Sequence, residues 1–172
     1  ISLGLGLGDW LWTSPNTFVA SANCGRYCGA KVDFVDIDPK TYNMSVDALS
    51  EKLIQAEKLG KLPKIVIPVH FAGQPCDMPS IHALSKQYGF KIIEDASHAI
   101  GASYKKIKVG SCAHSDITVF SFHPVKIITS AEGGMALTND KEIADKIFRL
   151  GTHGITNDKL KMKKQLTDEV WD

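Results

Sequence analysis

Apolar and polar positions along the chain alternate between two periods. "KVDFVDI" (Lys31–Ile37) is rich in β-branched residues and predicts a strand. "SVDALSEKLIQAEKLG" (Ser45–Gly60) follows with Leu49, Leu53 and Ala56 on one helical face, Ser45 as N-cap and Gly60 as terminator. "KIVIPV" (Lys64–Val69) is a short continuous apolar run, the mark of a buried strand. "PSIHALSKQYG" returns to helical spacing at Ile81, Leu84 and Tyr88 and stops at Gly89. "FKIIED" (Phe90–Asp95), "DITVFSF" (Asp116–Phe122) and "GMALT" (Gly134–Thr138) predict three more strands. Asn139 and Glu142 then form a capping-box-like pair opening a helix with Ile143, Ile147 and Leu150, closed by Gly151.

Strands alternating with helices predict an α/β fold: a mainly parallel sheet with helices on both faces. In such sheets ligands gather beyond the carboxyl ends of the strands. The residues just after each strand are therefore the ones that bear on function.

Composition narrows the classes. Hydrophobic residues make up 44% of the 172 and charged residues 23%, an ordinary balance for a globular domain. Twenty basic against nineteen acidic residues leave a formal charge of +1, so charge gives no case for nucleic acid or an anionic membrane as partner. The one basic cluster, "KLKMKKQ" (Lys159–Gln165), reads as a solvated face or terminus. No apolar run nears the roughly 20 residues of a membrane span, and Ile1–Gly8 lacks the basic flank of a signal peptide. Cys24, Cys28, Cys76 and Cys112 lack zinc-site spacing. The expectation is buried or half-buried free thiols, no metal and a reducing cytoplasm. The chain starts without methionine, on "ISLGLGLGDWLW", and reads as a fragment.

The polar residues after the strands make one chemical set. Asp95 ends "FKIIED", with His98 three residues on. Ser121 and His123 end "ITVFSF", and Lys126 follows. A lysine on a turn among apolar residues loses basicity through desolvation, and its neutral amine attacks carbonyls. Pyridoxal 5'-phosphate needs such a lysine, a carboxylate for its pyridinium nitrogen, hydroxyls for its phosphate and a flat side chain against its ring. Lys126, Asp95, Ser121 and Phe18 offer these types. On pattern alone, an ordinary surface lysine and a turn or capping aspartate remain open readings. His70, His82, His114 and His153 read as ordinary polar or packing residues.

"EDASHAIGASYKKIKVGS" and "FSFHPVKIITSAEGGMALTND" resemble the two signature blocks of the DegT/DnrJ/EryC1/StrS sugar aminotransferases. "TSPNTFVASANCGRYCGAKVDFVDIDPKTYNMSVDAL" and "IPVHFAGQPCDM" resemble the blocks upstream. The likeness runs from about Gly6 to His153. It implies the aspartate aminotransferase-like fold, fold type I, and pyridoxal phosphate chemistry. By motif, Lys126 matches the lysine that joins the cofactor and moves a proton between substrate and cofactor. Asp95 matches the partner of the ring nitrogen, His98 the residue near the 3-hydroxyl, Ser121 a phosphate ligand and Phe18 the stacking aromatic. His123 belongs to the "SFHPVK" form of the motif and is the third catalytic candidate. Glu132, in "AEGG", either supports the site or faces substrate.

The same wording resembles a subgroup of pseudaminic acid synthesis. It implies amino transfer from glutamate to C4 of a UDP-linked 4-keto-6-deoxy-N-acetylhexosamine, in a homodimer. The resemblance also implies that residues 1–172 are the central part of the large domain. A preceding phosphate-binding segment and a C-terminal small domain are then missing, and the isolated chain is expected to turn over little. Ser130–Ala131 stand where related sequences often have Thr-Gly. Amination at C3, an inactive fragment and a non-enzymatic module are the competing readings. Lys126 argues against the family's dehydratases, which carry histidine there.

Overall fold

A computed structural model describes residues 1–155 of the chain. Six strands form one sheet in the order β2-β1-β3-β4-β7-β8. These are β1 (Trp10–Thr13), β2 (Lys31–Phe34), β3 (Ile65–Ile67), β4 (Lys91–Asp95), β7 (Ile117–Ser121) and β8 (Gly134–Leu137). All neighbours are parallel except β7 and β8, which run antiparallel. A separate two-stranded hairpin, β5 (Ser103–Tyr104) and β6 (Ile107–Lys108), turns through Lys105 and Lys106, both at positive φ. That conformation suits a two-residue hairpin turn.

Strand alternation divides the core in two. Leu11, Val32, Ile65, Ile67 and Ile93 share one face with Leu5 and Ala30. Helix α1 (Ala20–Tyr27) lies there, with Gly25 so close that an added Cβ would stand 3.0 Å from Val32 and 3.2 Å from Leu11. On the other face Trp12, Val66 and Ile92 meet Leu49, Leu53 and Ala56 of α2 (Val46–Lys58) and Met78 and Ile81 of α3 (Met78–Tyr88).

The helix ends follow local chemistry. Ser45 caps α2 by accepting from the Ala48 N–H at 3.2 Å. Gly89 closes α3 in the left-handed conformation, φ +79°. Helix α4 (Lys141–Gly151) departs from expectation: Asp140, not Asn139, is its cap, accepting from Glu142 and Ile143. Asn139 instead donates to the Ser111 carbonyl at 2.9 Å. Gly151 lies inside α4, and Leu150 is exposed while Ile143 is buried.

All four cysteines are free. Cys76 and Cys112 are buried and Cys28 is half-buried, but Cys24 is exposed, against expectation. Burial pushes the Cys76 thiol up to about 12, so it packs rather than reacts. Among the described residues no helix is long and apolar enough to cross a membrane. The basic cluster Lys159–Gln165 lies outside the described residues.

Candidate active site

Asp95 and Ser121 end neighbouring parallel strands. The register pairs Asp95 with Val119, so Ser121, two residues on, shares the Asp95 face, the one that also carries α1. The Asp95 backbone is held on both sides. Its N–H donates to the Pro68 carbonyl and its carbonyl accepts the His70 N–H, both at 3.0 Å, while the next residue, Ala96, donates to Val119 at 2.9 Å.

The loop after β4 carries His98 and the loop after β7 carries Lys126, and the two side chains meet. Lys126 Nζ lies 3.0 Å from His98 Nε2. This partner sets Lys126 apart from the lysines that pair with aspartates. Lys52 meets Asp33 at 2.7 Å, Lys64 meets Asp9 at 2.8 Å and Lys91 meets Asp116 at 2.9 Å. Lys126 is half-buried and its neighbour is an imidazole, not an acid. Gly73 lets the loop after β3 close against this pair. Its φ is +88°, and an added Cβ would stand 2.8 Å from the His98 carbonyl oxygen.

Ser121 Oγ accepts the His123 N–H at 3.4 Å, which leaves its own hydrogen free to donate. His123 Nδ1 accepts the Val125 N–H at 3.4 Å, so Nε2 faces outward, 4.0 Å from Glu132 Oε1. Both side chains are exposed beside Lys126. Phe18 sits one residue before the α1 N-cap and is 74% exposed. Ala131 has φ +67°, the left-handed region that favours glycine.

Two serines not singled out by the sequence complete the set. Ser21 Oγ donates to Asp95 Oδ2 at 2.6 Å, and Ser97 Oγ donates to Asp95 Oδ1 at 2.6 Å. Only Ser97 could have been found from sequence, as an Asx-turn partner two residues from Asp95. The arrangement therefore joins Asp95, Ser121, His98, Lys126 and His123 on one edge, with Phe18 reached through α1. The donor set suits a planar phosphorylated aldehyde. An amine without an acid partner can take the carbonyl, an oriented carboxylate the ring nitrogen and a free hydroxyl the phosphate. The open phenyl ring can cover a ring face.

The network behind this edge is of another kind. Glu94 and His70, on the opposite face, are 5% and 0% exposed. His70 Nδ1 accepts the Cys76 N–H at 3.1 Å, which leaves Nε2–H to donate to Glu94 at 2.8 Å. Ser115 and Thr118 donate to the other Glu94 oxygen. Burial pushes the Glu94 carboxyl up, but the hydrogen bonds from His70, Ser115 and Thr118 together hold it below its ordinary value.

The model of the DegT/DnrJ/EryC1/StrS aminotransferase family matches residues 1–170. Among curated relatives, the UDP-4-amino-4,6-dideoxy-N-acetyl-beta-L-altrosamine transaminase of Campylobacter jejuni is 43% identical over 149 residues, covering 86% of this chain and 38% of the relative. The GDP-perosamine synthase of Caulobacter vibrioides is 41% identical over 155 residues, covering 90% and 40%. A crystal structure of a family aminotransferase from Brucella abortus superposes with a TM-score of 0.85 at 34% identity, covering 92% of this chain and 42% of that one. The chain thus spans about two fifths of the length of these proteins. The near-equal likeness to two differently named sugar enzymes does not single out the pseudaminic acid subgroup.

Proposed function

The chain belongs to the DegT/DnrJ/EryC1/StrS aminotransferase family, and on that premise we propose that its carboxyl edge is the cofactor seat of a pyridoxal-phosphate-dependent sugar-nucleotide aminotransferase. The whole protein moves an amino group from glutamate to C4 of a UDP-linked 4-keto-6-deoxy-N-acetylhexosamine, as in pseudaminic acid synthesis. It works as a homodimer, and this chain is the central part of its large domain. The observation that carries the reading is the Lys126–His98 pair, an amine with an imidazole for partner at the end of a parallel sheet.

When bound, pyridoxal phosphate supplies an electron sink for the carbon that carries the migrating nitrogen. The chain's own groups do the rest. Lys126 holds the cofactor and then moves a proton at the Cα of the amino donor. His98 orients the Lys126 nitrogen and would help hold the cofactor near its 3-hydroxyl. Asp95 keeps the ring nitrogen protonated, which sustains the sink. Ser121 would donate to the phosphate and Phe18 would cover a face of the ring. His123 presents its Nε2 to the sugar side, with Glu132 beside it.

The test is an absorbance spectrum of the full-length protein with added pyridoxal phosphate, followed by borohydride reduction and peptide mapping. The expected result is a visible band in the parent, none in Lys126→Ala and the label on Lys126. A label elsewhere, or no band, overturns the reading. The likeness to a GDP-perosamine synthase favours a second acceptor, a GDP-linked 4-keto sugar. A competition assay with the UDP- and GDP-linked sugars and glutamate decides between them.

A further inference from the structure

We infer that Ser21 and Ser97 are positioning residues that clamp the Asp95 carboxylate, and that Ser21 also ties the turn carrying Phe18 to that carboxylate. The inference rests on the cofactor reading above. The backbone of Asp95 is pinned by β3 and β7, so only its side-chain torsions are free to wander. The two hydroxyls remove that freedom. Ser21 holds Oδ2 and Ser97 holds Oδ1, each at 2.6 Å, and the Ser97 N–H adds a third contact at 3.2 Å. Each carboxylate oxygen accepts about two hydrogen bonds. Oδ2, which takes the Ser21 hydroxyl alone, keeps an open site for a ring N–H.

The Ser97 contacts belong to an ordinary Asx turn and by themselves imply nothing. The Ser21 contact is different, because it joins residues 74 positions apart. The hydroxyl of Ser21 caps nothing, since α1 has no side-chain cap. Thr17 Oγ1 donates to Ser21 Oγ at 3.1 Å, so the Ser21 hydrogen is left to point at Asp95. Phe18 is in the same turn, its carbonyl accepting the Ser21 N–H at 3.2 Å. One side chain thus sets the spacing between the group for the ring's nitrogen edge and the group for its face. Ser21 is 6% exposed, so water has little access to replace a lost hydroxyl. Supporting contacts of this kind keep a site within its productive geometry.

The experiment uses the full-length protein and three readouts: pyridoxal phosphate affinity by absorbance titration, visible circular dichroism per bound cofactor, and thermal unfolding of the cofactor-free form. The dichroism reports how firmly the ring is held in one orientation. Ser80→Ala is the control, because Ser80 donates to Asp77 at 2.8 Å at the start of α3, which packs on the opposite face of the sheet from Asp95. Ser21→Ala is expected to weaken affinity about tenfold, the size of one lost hydrogen bond to a charged group. It should also lower the dichroism by more than half. Ser97→Ala, which keeps its N–H contact, is expected to weaken affinity about threefold, and it carries the test if Ser21→Ala does not fold. The control should lose stability alone. Parent-like affinity and dichroism in both serine variants overturn the clamp while leaving the cofactor reading intact. A change matched by Ser80→Ala makes the serines merely structural and also overturns it. No cofactor band in the parent overturns the cofactor reading and the clamp together.

Discussion

Glu94 and Asp95 are neighbours on β4, yet they sit in two different environments. Glu94 points to the face covered by α2 and α3, where three side-chain donors hold it and it is 5% exposed. Asp95 points to the face covered by α1, half-buried at the open edge, with two serine hydroxyls that leave room for another donor. The same functional group serves the fold in one place and is held ready for a ligand in the other. One step along a strand turns a carboxylate to the opposite face. Each carries three donors, so the burial it meets there decides which role it takes.

The comparison breaks if removing Glu94 leaves the fold untouched. Glu94→Ala removes the shared acceptor of buried His70 and Thr118 and half-buried Ser115, and is expected to cost about 3–5 kcal/mol in urea unfolding. A loss under ~1 kcal/mol would mean that water enters and satisfies the network. The next largest effect is the converse. Asp95→Asn is expected to lower turnover of the full-length protein with glutamate and ketosugar by about 10²–10³-fold. Its cofactor-free unfolding midpoint should stay near that of the parent, since the exposed edge supports little of the core. A variant that loses stability and activity together would erase the distinction between the two acids.

The smallest effect sharpens the contrast through pH. The folded pKa of Glu94 is held below its ordinary value of 4.5. A depressed carboxyl contributes stability that is fully present above the unfolded value and is lost as pH falls through the folded one. The parent is therefore expected to lose stability more steeply with acid than Glu94→Gln does, beginning near pH 4.5. Urea midpoints of both proteins across the acid range give the measurement. Parallel acid limbs would show that the Glu94 charge does not contribute.

Much of the scaffold was legible. The regions expected as strands at Lys64–Val69, Phe90–Asp95, Asp116–Phe122 and Gly134–Thr138 all contain strands, and both helices with a clear apolar face formed. What escaped is instructive. β1, "WLWT", is a four-residue central strand with no period to read and a glycine-rich approach. Helix α1 begins without a side-chain cap and carries a glycine in its middle, so it lacks the usual start signal. The hairpin β5–β6 depends on two lysines at positive φ, a conformation their residue type does not announce. At the candidate site, Asp95, His98, Ser121 and Lys126 were legible as candidates because parallel strands deliver whatever follows them to one edge. Ser21 escaped because its contact joins residues 74 positions apart.

The sequence by itself determined the alternation along each strand, the spacing of the helical faces and the set of polar residues after the strands. These are local properties, set by the geometry of adjacent residues. The tertiary structure alone decided that β1 lies between β2 and β3, that Lys126 finds an imidazole rather than an acid, and that Ser21 reaches Asp95. Those pairings depend on which elements pack together. Contacts between distant residues are settled by burial of the whole core and leave no trace in local spacing.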